Sequence, residues 1–342
     1  MNSQEIALAV PETATRKAET TDPRMWGWVE TSVWTERMLT ALGNGVKGGK
    51  WYSLMDKVLA QRTLWAAWQQ VAANQGAAGV DRVSVERFKQ NEIHLLRELG
   101  KSLRDGTFRP EAIRRVYIPK GKGKTRPLGI PTVKDRVVQT ALKMVLEPIF
   151  EREFLSSSFG FRPGRGCKDA LRRVDALIKA GYTWVVDADL KSYFDSIPHD
   201  ILMERVEAKI SDGRILSLIE SFLQQDVLED MKRWTPMKGS PQGAVISPLL
   251  ANVFLHPLDA LIQEAGFEIV RYADDFVILC RSEAEAQEAL GLVESWTSAN
   301  GLTLHPDKTH LGNCLEGGFE FLGYRFRAGQ TIRALEEPDG SS

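Results

Sequence analysis

The sequence predicts an α+β protein organised around a split βαβ unit. Residues 184–190 (WVVDADL) show one strand pattern, and residues 268–280 show two more on either side of a tight turn. Helical patterns lie between these strands, and a further helix and strand follow them. The order strand, helix, helix, hairpin, helix, strand is that of a split βαβ unit, in which acids on two central strands meet edge to edge.

The WVVDADL segment combines a buried strand with two acids. Period-two alternation places Val185, Asp187 and Asp189 on one face of the strand. Carboxylates on an apolar strand are costly unless they meet solvent or a metal ion. This strand is therefore a candidate for chemistry.

The turn between the other two strands reads Tyr272-Ala273-Asp274-Asp275. Two adjacent like charges at a hairpin tip repel each other, and a pair of divalent cations would neutralise them, as in phosphoryl-transfer sites. An exposed acidic turn is the alternative interpretation of the tetrapeptide alone, because Asp is common in turns.

The first half of the chain predicts mainly helices. Apolar residues recur at helical spacing in residues 57–74, and further helices are predicted for residues 84–105 and 134–154. The segment RRVYIP (114–119) is predicted to be a strand within a loop rich in Gly and Pro. Residues 1–24 are polar and are expected to be disordered.

The second half contains clear helix-start signals. Ser247 can cap a helix that has Pro248 at its first position, and Pro257 should kink or interrupt that helix. Ser282 and Glu285 form a capping-box pattern for the next helix.

Two strand patterns close the predicted fold. LTLH (302–305) is expected to be the last strand of the split unit, and FEFLGYRF (319–326) is predicted to be a hairpin.

Composition limits the class of protein. The chain has 342 residues, enough for about two domains, with 43% hydrophobic and 26% charged residues. No apolar run approaches the roughly eighteen residues of a membrane span, and residues 1–24 show no basic segment followed by an apolar stretch, so we do not expect secretion. The three cysteines are far apart, which argues against a disulfide framework. We therefore expect a cytoplasmic protein that does not contact membranes.

Positive charge is concentrated in one part of the chain. Residues 109–143 contain ten Lys or Arg and two acids, although the formal net charge of the chain is −1. Such a block suits a phosphate backbone, with a solvated basic surface as the alternative. Prolines and glycines among these charges favour the first interpretation, because turns hold the charges close to backbone N–H groups.

An ordered series of motifs resembles one known family. The chain is similar to bacterial group II intron reverse transcriptases of the maturase type over roughly residues 40–330. The segments that carry the resemblance are GVDRVSVERF, YIPKGKGKTRPLGIPTVKDRVVQTALKMVLEPIFE, SSSFGFRPGRGC, VVDADLKSYFDSIPHD, PQGAVISPLLANVFLHPLD, VRYADDFVILC, LTLHPDKT and FEFLGYRF.

The resemblance implies a right-hand polymerase with fingers and a palm, the palm having a ferredoxin-like split βαβ core. It implies an N-terminal extension at residues 1–40, fingers at 41–180, a palm at 181–330 and a tail at 331–342. Family members continue past the FLGY hairpin into a helical thumb, whereas only GQTIRALEEPDGSS follows here. We therefore expect a frayed tail, no endonuclease domain, most of the thumb missing and low processivity.

The resemblance also implies a metal site. Asp189 and Asp274 would be the main ligands of two Mg²⁺ ions, and Asp275 would complete the acidic triad. The backbone carbonyl of Leu190 is a further implied ligand. Lys308 matches a proposed general acid for the pyrophosphate, with a surface lysine on a turn as the alternative.

Five residues match positions that contact the incoming nucleotide. Lys120 and Arg126 would grip its triphosphate. Phe194 would lie beneath the sugar and exclude a 2′-hydroxyl, which gives a preference for dNTPs. Gln242 and Gly243 match a loop that touches the nucleotide, where the missing side chain of glycine permits close approach.

Five more residues match positions that contact nucleic acid. Arg162, Arg165 and Lys168 would lie along the template path. Gly323 and Tyr324 resemble the hairpin that grips the primer.

The implied function is RNA-directed DNA polymerisation, with group II intron RNA as the expected template and a DNA or RNA primer. Two alternatives remain open from the sequence. One is an RNA-binding splicing factor with little polymerase activity, and the other is a reverse transcriptase used in antiviral defence. The sequence predicts no oligomeric state.

Overall fold

The computed structural model describes residues 26–121, 123–327 and 330–333. The expectation of disorder for residues 1–24 lies outside the described residues. The helices are α1 (Glu36–Asn44), α2 (Met55–Val58), α3 (Gln61–Asn74), α4 (Val85–Gln90), α5 (Glu92–Arg104), α6 (Val133–Glu151), α7 (Cys167–Lys179), α8 (Tyr193–Ser196), α9 (His199–Glu207), α10 (Gly213–Leu223), α11 (Ser247–Glu264) and α12 (Glu283–Ala299). The strands are β1 (Ile113–Gly121), β2 (Lys124–Ile130), β3 (Trp184–Ala188), β4 (Val227–Glu229), β5 (Lys232–Trp234), β6 (Glu268–Tyr272), β7 (Asp275–Cys280), β8 (His310–Asn313), β9 (Phe319–Phe321), β10 (Tyr324–Arg327) and β11 (Gln330–Arg333).

The central sheet has the strand order β6-β7-β3-β8, and all of its neighbouring pairs are antiparallel. Strands β3 and β6 therefore run in the same direction with β7 between them. This is the split βαβ arrangement, so the predicted α+β fold class and the edge-to-edge meeting of the two acidic strands are confirmed.

The outer strand beside β3 differs from the prediction. The predicted strand at residues 302–305 contributes a single bridge, Leu304 to Leu190, and β8 continues the pairing along the same edge. The predicted strand is short because its partner β3 ends at Ala188. The residues between Leu304 and β8 bulge out of this edge.

A second sheet has the order β2-β1-β4-β5. The predicted strand at residues 114–119 is confirmed as part of β1, which pairs with β2 in antiparallel fashion and with β4 in parallel fashion. The basic segment that the sequence described as a loop is thus largely a two-stranded ribbon, with an irregular register between Pro119 and Gly121.

The third sheet, in the order β11-β10-β9, contains the predicted hairpin. Its turn is Leu322-Gly323, and both residues have positive φ, +51° and +76°. The expectation of a frayed tail is wrong for Gln330–Arg333, which pairs with β10 as β11. Main-chain hydrogen bonds to an open strand edge do not require apolar side chains.

Several helix boundaries differ from the prediction. The helix expected over 57–74 is broken at Ala60, which is extended, and the one over 84–105 is broken at Asn91. Ser282 caps α12 as predicted, because its hydroxyl accepts from the Glu285 N–H at 3.2 Å. Ser247 is instead the first residue of α11, and its hydroxyl donates to the Pro241 carbonyl, so its predicted capping role is wrong.

Helix α11 runs through Pro257, so of the two expected effects, a kink or an interruption, the interruption is wrong. Two hydrophobic cores lie on the two faces of the central sheet. Val186, Phe276 and Ile278 belong to the main core, whereas Val185 and Val277 belong to the smaller one. No helix in the described part of the chain has the length and apolar character that a membrane crossing requires.

Asp135 in α6 is fully buried beside the start of β1. Its Oδ2 accepts from the Glu111 N–H at 3.1 Å and from Gln225 Nε2 at 3.2 Å. Burial raises the pKa of Asp135 from 3.8 to about 7.

Because the folded state binds a proton that the unfolded state releases, this group should make the free energy of unfolding fall as the pH rises from about 4 to about 7. Replacing Asp135 by asparagine should remove this component and stabilise the protein at pH 8 by about 1–3 kcal/mol. Urea unfolding at pH 5 and pH 8 measures the effect, with Asp200→Asn, a change in an exposed carboxylate, as the control. A variant with the same pH dependence as the wild type would contradict the assignment.

Candidate active site

The pairing of β3 with β7 brings the predicted acidic residues together. Asp187 pairs with Val277 and Ala188 pairs with Phe276. Continuing this register by one residue places Asp189 opposite Asp275. Since side chains alternate along a strand, Asp187, Asp189 and Asp275 project from the same side of the sheet.

The turn between β6 and β7 is tight. Tyr272 pairs with Asp275, so only Ala273 and Asp274 form the turn. Ala273 is buried and has φ +60°, in the left-handed region. Asp274 is half-buried and Asp275 is exposed.

Lys308 lies in the bulge between Leu304 and β8, and this position lets it reach the carboxylates. Its Nζ lies 2.8 Å from Asp189 Oδ2. The hydrogen bond to Asp189 raises the pKa of Lys308, and the charges of Asp189, Asp275 and Asp187 raise it further. The His305 N–H donates to the Asp189 carbonyl at 2.8 Å, which holds the bulge against the end of β3.

His310 is a neighbour of the carboxylates that sequence reasoning did not assign to the site. Its Nε2 lies 3.7 Å from Asp187 Oδ2. Burial raises the pKa of Asp187 to about 6; the charges of Asp275 and Asp189 raise it further, and His310 opposes the shift. The only signal that could have revealed His310 is the register of β8 against β3.

A cleft of about 530 Å³ opens in front of these side chains. Asp187, Asp189 and Asp275 line one side of it, and the β9–β10 hairpin lines the other through residues that include Gly323. Tyr324, the next residue, is half-buried and packs against the smaller core. The cleft therefore brings together Asp189 and Asp275 from the residues assigned to metal and Gly323 from those assigned to the primer, whereas Asp274 and Tyr324 do not line it.

The side chains around the cleft fit a divalent cation. Mg²⁺ prefers oxygen ligands and is usually held by one or two carboxylates together with waters and substrate phosphates. Asp189 and Asp275 offer such oxygens at the ends of adjacent strands. Asp274, in the turn before Asp275, is half-buried. No closed cluster of three or more His, Cys, Asp or Glu side chains suited to a metal occurs among the residues that the structure describes.

The residues assigned to the triphosphate lie on the β1–β2 ribbon. Arg126 is exposed on β2 opposite Ile118. Lys120 lies in β1 at the irregular register, and its side chain lies outside the described part of the structure.

Gln242 and Gly243 lie in a loop that packs on β2. The Gln242 carbonyl accepts from the Gly129 N–H at 2.7 Å. Gly243 has φ +100°, and a Cβ there would lie 2.4 Å from the Gly129 carbonyl oxygen. The close approach that requires glycine is therefore to strand β2.

Phe194 is a half-buried residue of α8. Its ring centroid lies 6.3 Å from that of Phe161. Its carbonyl accepts from the Ser240 N–H at 2.7 Å, which ties α8 to the loop that carries Gln242. The Leu190 side chain is buried in the main core, so its backbone is the part that could contribute to a site.

The three residues assigned to the template path differ in exposure. Arg162 is buried and makes a double hydrogen bond to the carboxylate of Glu151, with Nη2 2.6 Å from Oε1. Its Nη1 donates to the Ser158 carbonyl. This geometry makes Arg162 a structural residue of the loop before α7, and it corrects the expectation of direct contact with a template. Arg165 is half-buried over the Phe159 ring, and Lys168 is exposed.

Comparison with known proteins identifies the family. Residues 118–326 match the family model described as reverse transcriptase (RNA-dependent DNA polymerase). The chain belongs to this family, and the fold is that of reverse transcriptase fingers and palm. The predicted class of enzyme, an RNA-directed DNA polymerase, is confirmed, and members of this family generally use divalent metal ions.

The relatives include an intron-encoded protein. The chain is 35% identical over 292 residues to protein YkfC of Escherichia coli K12, covering 73% of this chain and 75% of YkfC. It is 38% identical over 210 residues to the group II intron-encoded protein LtrA of Lactococcus lactis, covering 60% of this chain and 34% of LtrA. These matches confirm the resemblance to group II intron proteins. A chain of a partial Cas6-RT-Cas1–Cas2 complex aligns with a TM-score of 0.46 and 25% identity, covering 72% of this chain and 41% of that one.

Replacing Lys308 by alanine should strengthen the binding of Mn²⁺, used as a probe for Mg²⁺, by about two- to fivefold. An exposed ion pair is worth up to about 1 kcal/mol, and the ammonium competes with a metal ion for the Asp189 carboxylate. Titration at pH 7.5 measures the affinity. Lys179→Ala, which removes an exposed ion pair with Asp175 in α7, is the matched control and should leave the affinity unchanged. Weaker binding by the Lys308 variant would contradict the competition.

Proposed function

We propose that this chain is a reverse transcriptase of group II intron type, which transfers deoxynucleotides from dNTPs to a primer 3′-hydroxyl on an RNA template. The observation that carries the proposal is the β3–β7 pairing, which ends at Ala188 and Phe276, so that Asp189 follows one strand and Asp275 begins the other at the same end of the sheet, beside the turn of Asp274. Paired carboxylates at one strand end are costly without a cation, and their position in an open cleft fits a metal-dependent reaction.

Asp189, Asp274 and Asp275 would hold two Mg²⁺ ions, with the Leu190 carbonyl as a further ligand. When bound, such ions lower the pKa of the attacking hydroxyl and stabilise charge on the transferred phosphoryl group. Lys308 Nζ lies 2.8 Å from Asp189 Oδ2, so it would be within reach of the departing pyrophosphate as its general acid, and a cation that takes the Asp189 carboxylate would remove the hydrogen bond that raises the pKa of Lys308. The remaining work of the protein is positioning and charge neutralisation.

The residues around the cleft divide that work. Arg126 and Lys120 on the ribbon would bind the triphosphate, and the loop of Gln242 and Gly243 would support the nucleotide through its backbone. Phe194 would exclude a 2′-hydroxyl from the sugar position.

The nucleic acid would pass through the cleft between the carboxylates and the β9–β10 hairpin. The hairpin residues Gly323 and Tyr324 would hold the primer end, and Arg165 and Lys168 would contact the template backbone. Intron RNA is the template that we propose, since LtrA, a group II intron-encoded protein, is among the relatives. In this proposal the fingers comprise residues 41–180 and the palm comprises residues 181–330.

Asp189→Asn and Asp274→Asn should each lower primer extension with Mg²⁺ and dNTPs by at least about 100-fold. Loss of a metal ligand removes several kcal/mol of transition-state stabilisation, and each 1.4 kcal/mol is about tenfold in rate. The assay extends a DNA primer on an RNA template, and Asp200→Asn, an exposed carboxylate outside the cleft, is the control. Extension that survives both changes would contradict the proposal, and RNA binding without extension in the wild type would favour a splicing factor.

Phe194→Ala should lower the discrimination between dNTPs and rNTPs by about tenfold or more, because the pocket no longer rejects the extra hydroxyl by steric overlap. The ratio of kcat/KM for a dNTP and the matching rNTP is the measurement. Phe108→Leu serves as the control, since Phe108 packs against Phe222 on α10. Unchanged selectivity in the Phe194 variant would remove the steric assignment.

A further inference from the structure

A buried polar network lies directly beneath the turn that carries Asp274. It consists of Arg271 from β6 with Asp259 and Asn252 from α11, and their exposed fractions are 0%, 0% and 1%. Arg271 Nε and Nη2 donate to the two Asp259 oxygens at 2.7 and 2.6 Å. A buried ion pair is weak evidence for stability, because desolvation offsets the attraction. Its placement therefore points to a role other than stability.

The third nitrogen of the guanidinium reaches the turn. Arg271 Nη1 donates to the Ala273 carbonyl at 2.8 Å and to Asn252 Oδ1 at 2.8 Å. Ala273 has φ +60°, in the left-handed region that an L-residue adopts only where its surroundings hold it there. The hydrogen bond fixes the carbonyl of the peptide group that joins Ala273 to Asp274.

The segment that contains Gly160 packs against the same turn. Asn252 Nδ2 donates to the Gly160 carbonyl at 2.9 Å. Gly160 packs so closely that a Cβ there would lie 2.2 Å from the Ala273 nitrogen. Asn252 thus joins the guanidinium to the segment that presses on the turn.

The main chain of Arg271 is fixed to that segment as well. The Arg271 N–H donates to the Ser157 carbonyl at 2.9 Å, and the Phe159 N–H donates to the Arg271 carbonyl at 2.8 Å. Burial alone would lower the pKa of Arg271, but the charge and hydrogen bonds of Asp259 raise it, so the guanidinium stays charged. The charge of Asp274 acts in the same direction.

We propose that Arg271, held by Asp259 and Asn252, is a positioning residue that sets the Asp274 carboxylate relative to Asp189. The proposal rests on the polymerase function above. A merely structural arginine would affect the amount of folded protein, whereas a positioning arginine affects metal affinity and the rate of the chemical step in folded molecules.

The decisive variant is Arg271→Lys, which keeps a positive charge but cannot donate to Asp259 and to Ala273 with the same geometry. We expect kcat for primer extension and the affinity for Mn²⁺ each to fall by about 10–100-fold, which is the usual effect of removing a group that orients a metal ligand. KM for the dNTP should stay within about twofold of the wild type, because the network does not touch the β1–β2 ribbon.

Arg205→Lys is the matched control. Arg205 is a half-buried arginine of α9. It donates to the Phe254 carbonyl of α11, the helix that also carries Asp259 and Asn252, and to the Asn300 side chain. It should lose stability in thermal unfolding without a change in kcat per folded molecule or in Mn²⁺ affinity. Circular dichroism measures the folded fraction of each variant.

Asn252→Asp provides a second test that does not depend on the folding of the Arg271 variant. It retains an acceptor for Arg271 Nη1 and removes the donor to the Gly160 carbonyl, so we expect a smaller loss of kcat and of Mn²⁺ affinity. Wild-type kcat and wild-type Mn²⁺ affinity in folded Arg271→Lys, or in Asn252→Asp where the first does not fold, would overturn the proposal.

Mn²⁺ binding separates this proposal from the proposed function. A wild-type protein without primer extension would contradict the polymerase function, and the Mn²⁺ affinities would still test the positioning role. Equal Mn²⁺ affinities of the wild type and the Arg271 variant, including no binding by either, would overturn the positioning role.

Discussion

The register of β3 against β7 is the constraint on which the rest of the structure depends. Because side chains alternate, a shift of one residue would move Asp187 and Asp189 to the opposite face, into the main core. A one-residue shift in either direction would put Asp187 on the main-core face, where Val186 and Ala188 pack, and the cost of burying that carboxylate specifies the register. The carboxylates project only where β3 ends and the smaller core gives way to the cleft.

This arrangement concentrates negative charge that the protein must tolerate without a ligand. The raised pKa of Asp187, about 6, reflects burial first and the charges of its neighbours second. Lys308 on the bulge and His310 on β8 bring positive or protonatable groups to the same cleft. Both come from the edge that pairs with β3, so the strand that presents the acids also determines which bases lie beside them.

The sequence predicted those parts of the fold that depend on local pattern. The acidic strand, the tight turn, the FLGY hairpin and the Ser282 cap each follow from residues adjacent in the chain, and each is present. Burial of an arginine is different, because it depends on a partner that no local pattern reveals. Arg162 was assigned to a template surface, yet Glu151 and three backbone carbonyls enclose its guanidinium. The outer strand β8 was missed for the same reason, since its place depends on the edge that β3 leaves open.

Helix α11 links the two halves of the candidate site. Its first residues follow the loop of Gln242 and Gly243. The side-chain oxygen of Gln139 in α6 accepts a hydrogen bond from the Val245 N–H at 2.7 Å, and this bond fixes the loop. One rigid helix then spans about 18 Å from Ser247 to Asp259 at 1.5 Å per residue. Near its far end it meets the guanidinium that holds the Asp274 turn.

A rigid helix between the loop of Gln242 and Gly243 and the turn of Asp274 sets the distance between them. Since helices resist changes in length far more than loops do, an error in the position of one group would require the whole helix to move against both cores. A hydrophobic pair could pack in the place of Arg271 and Asp259 at similar or greater stability. It could not direct the Ala273 carbonyl, because that requires a donor with a fixed direction. The buried charge therefore supplies orientation to the turn, which an apolar contact of the same size would leave undetermined.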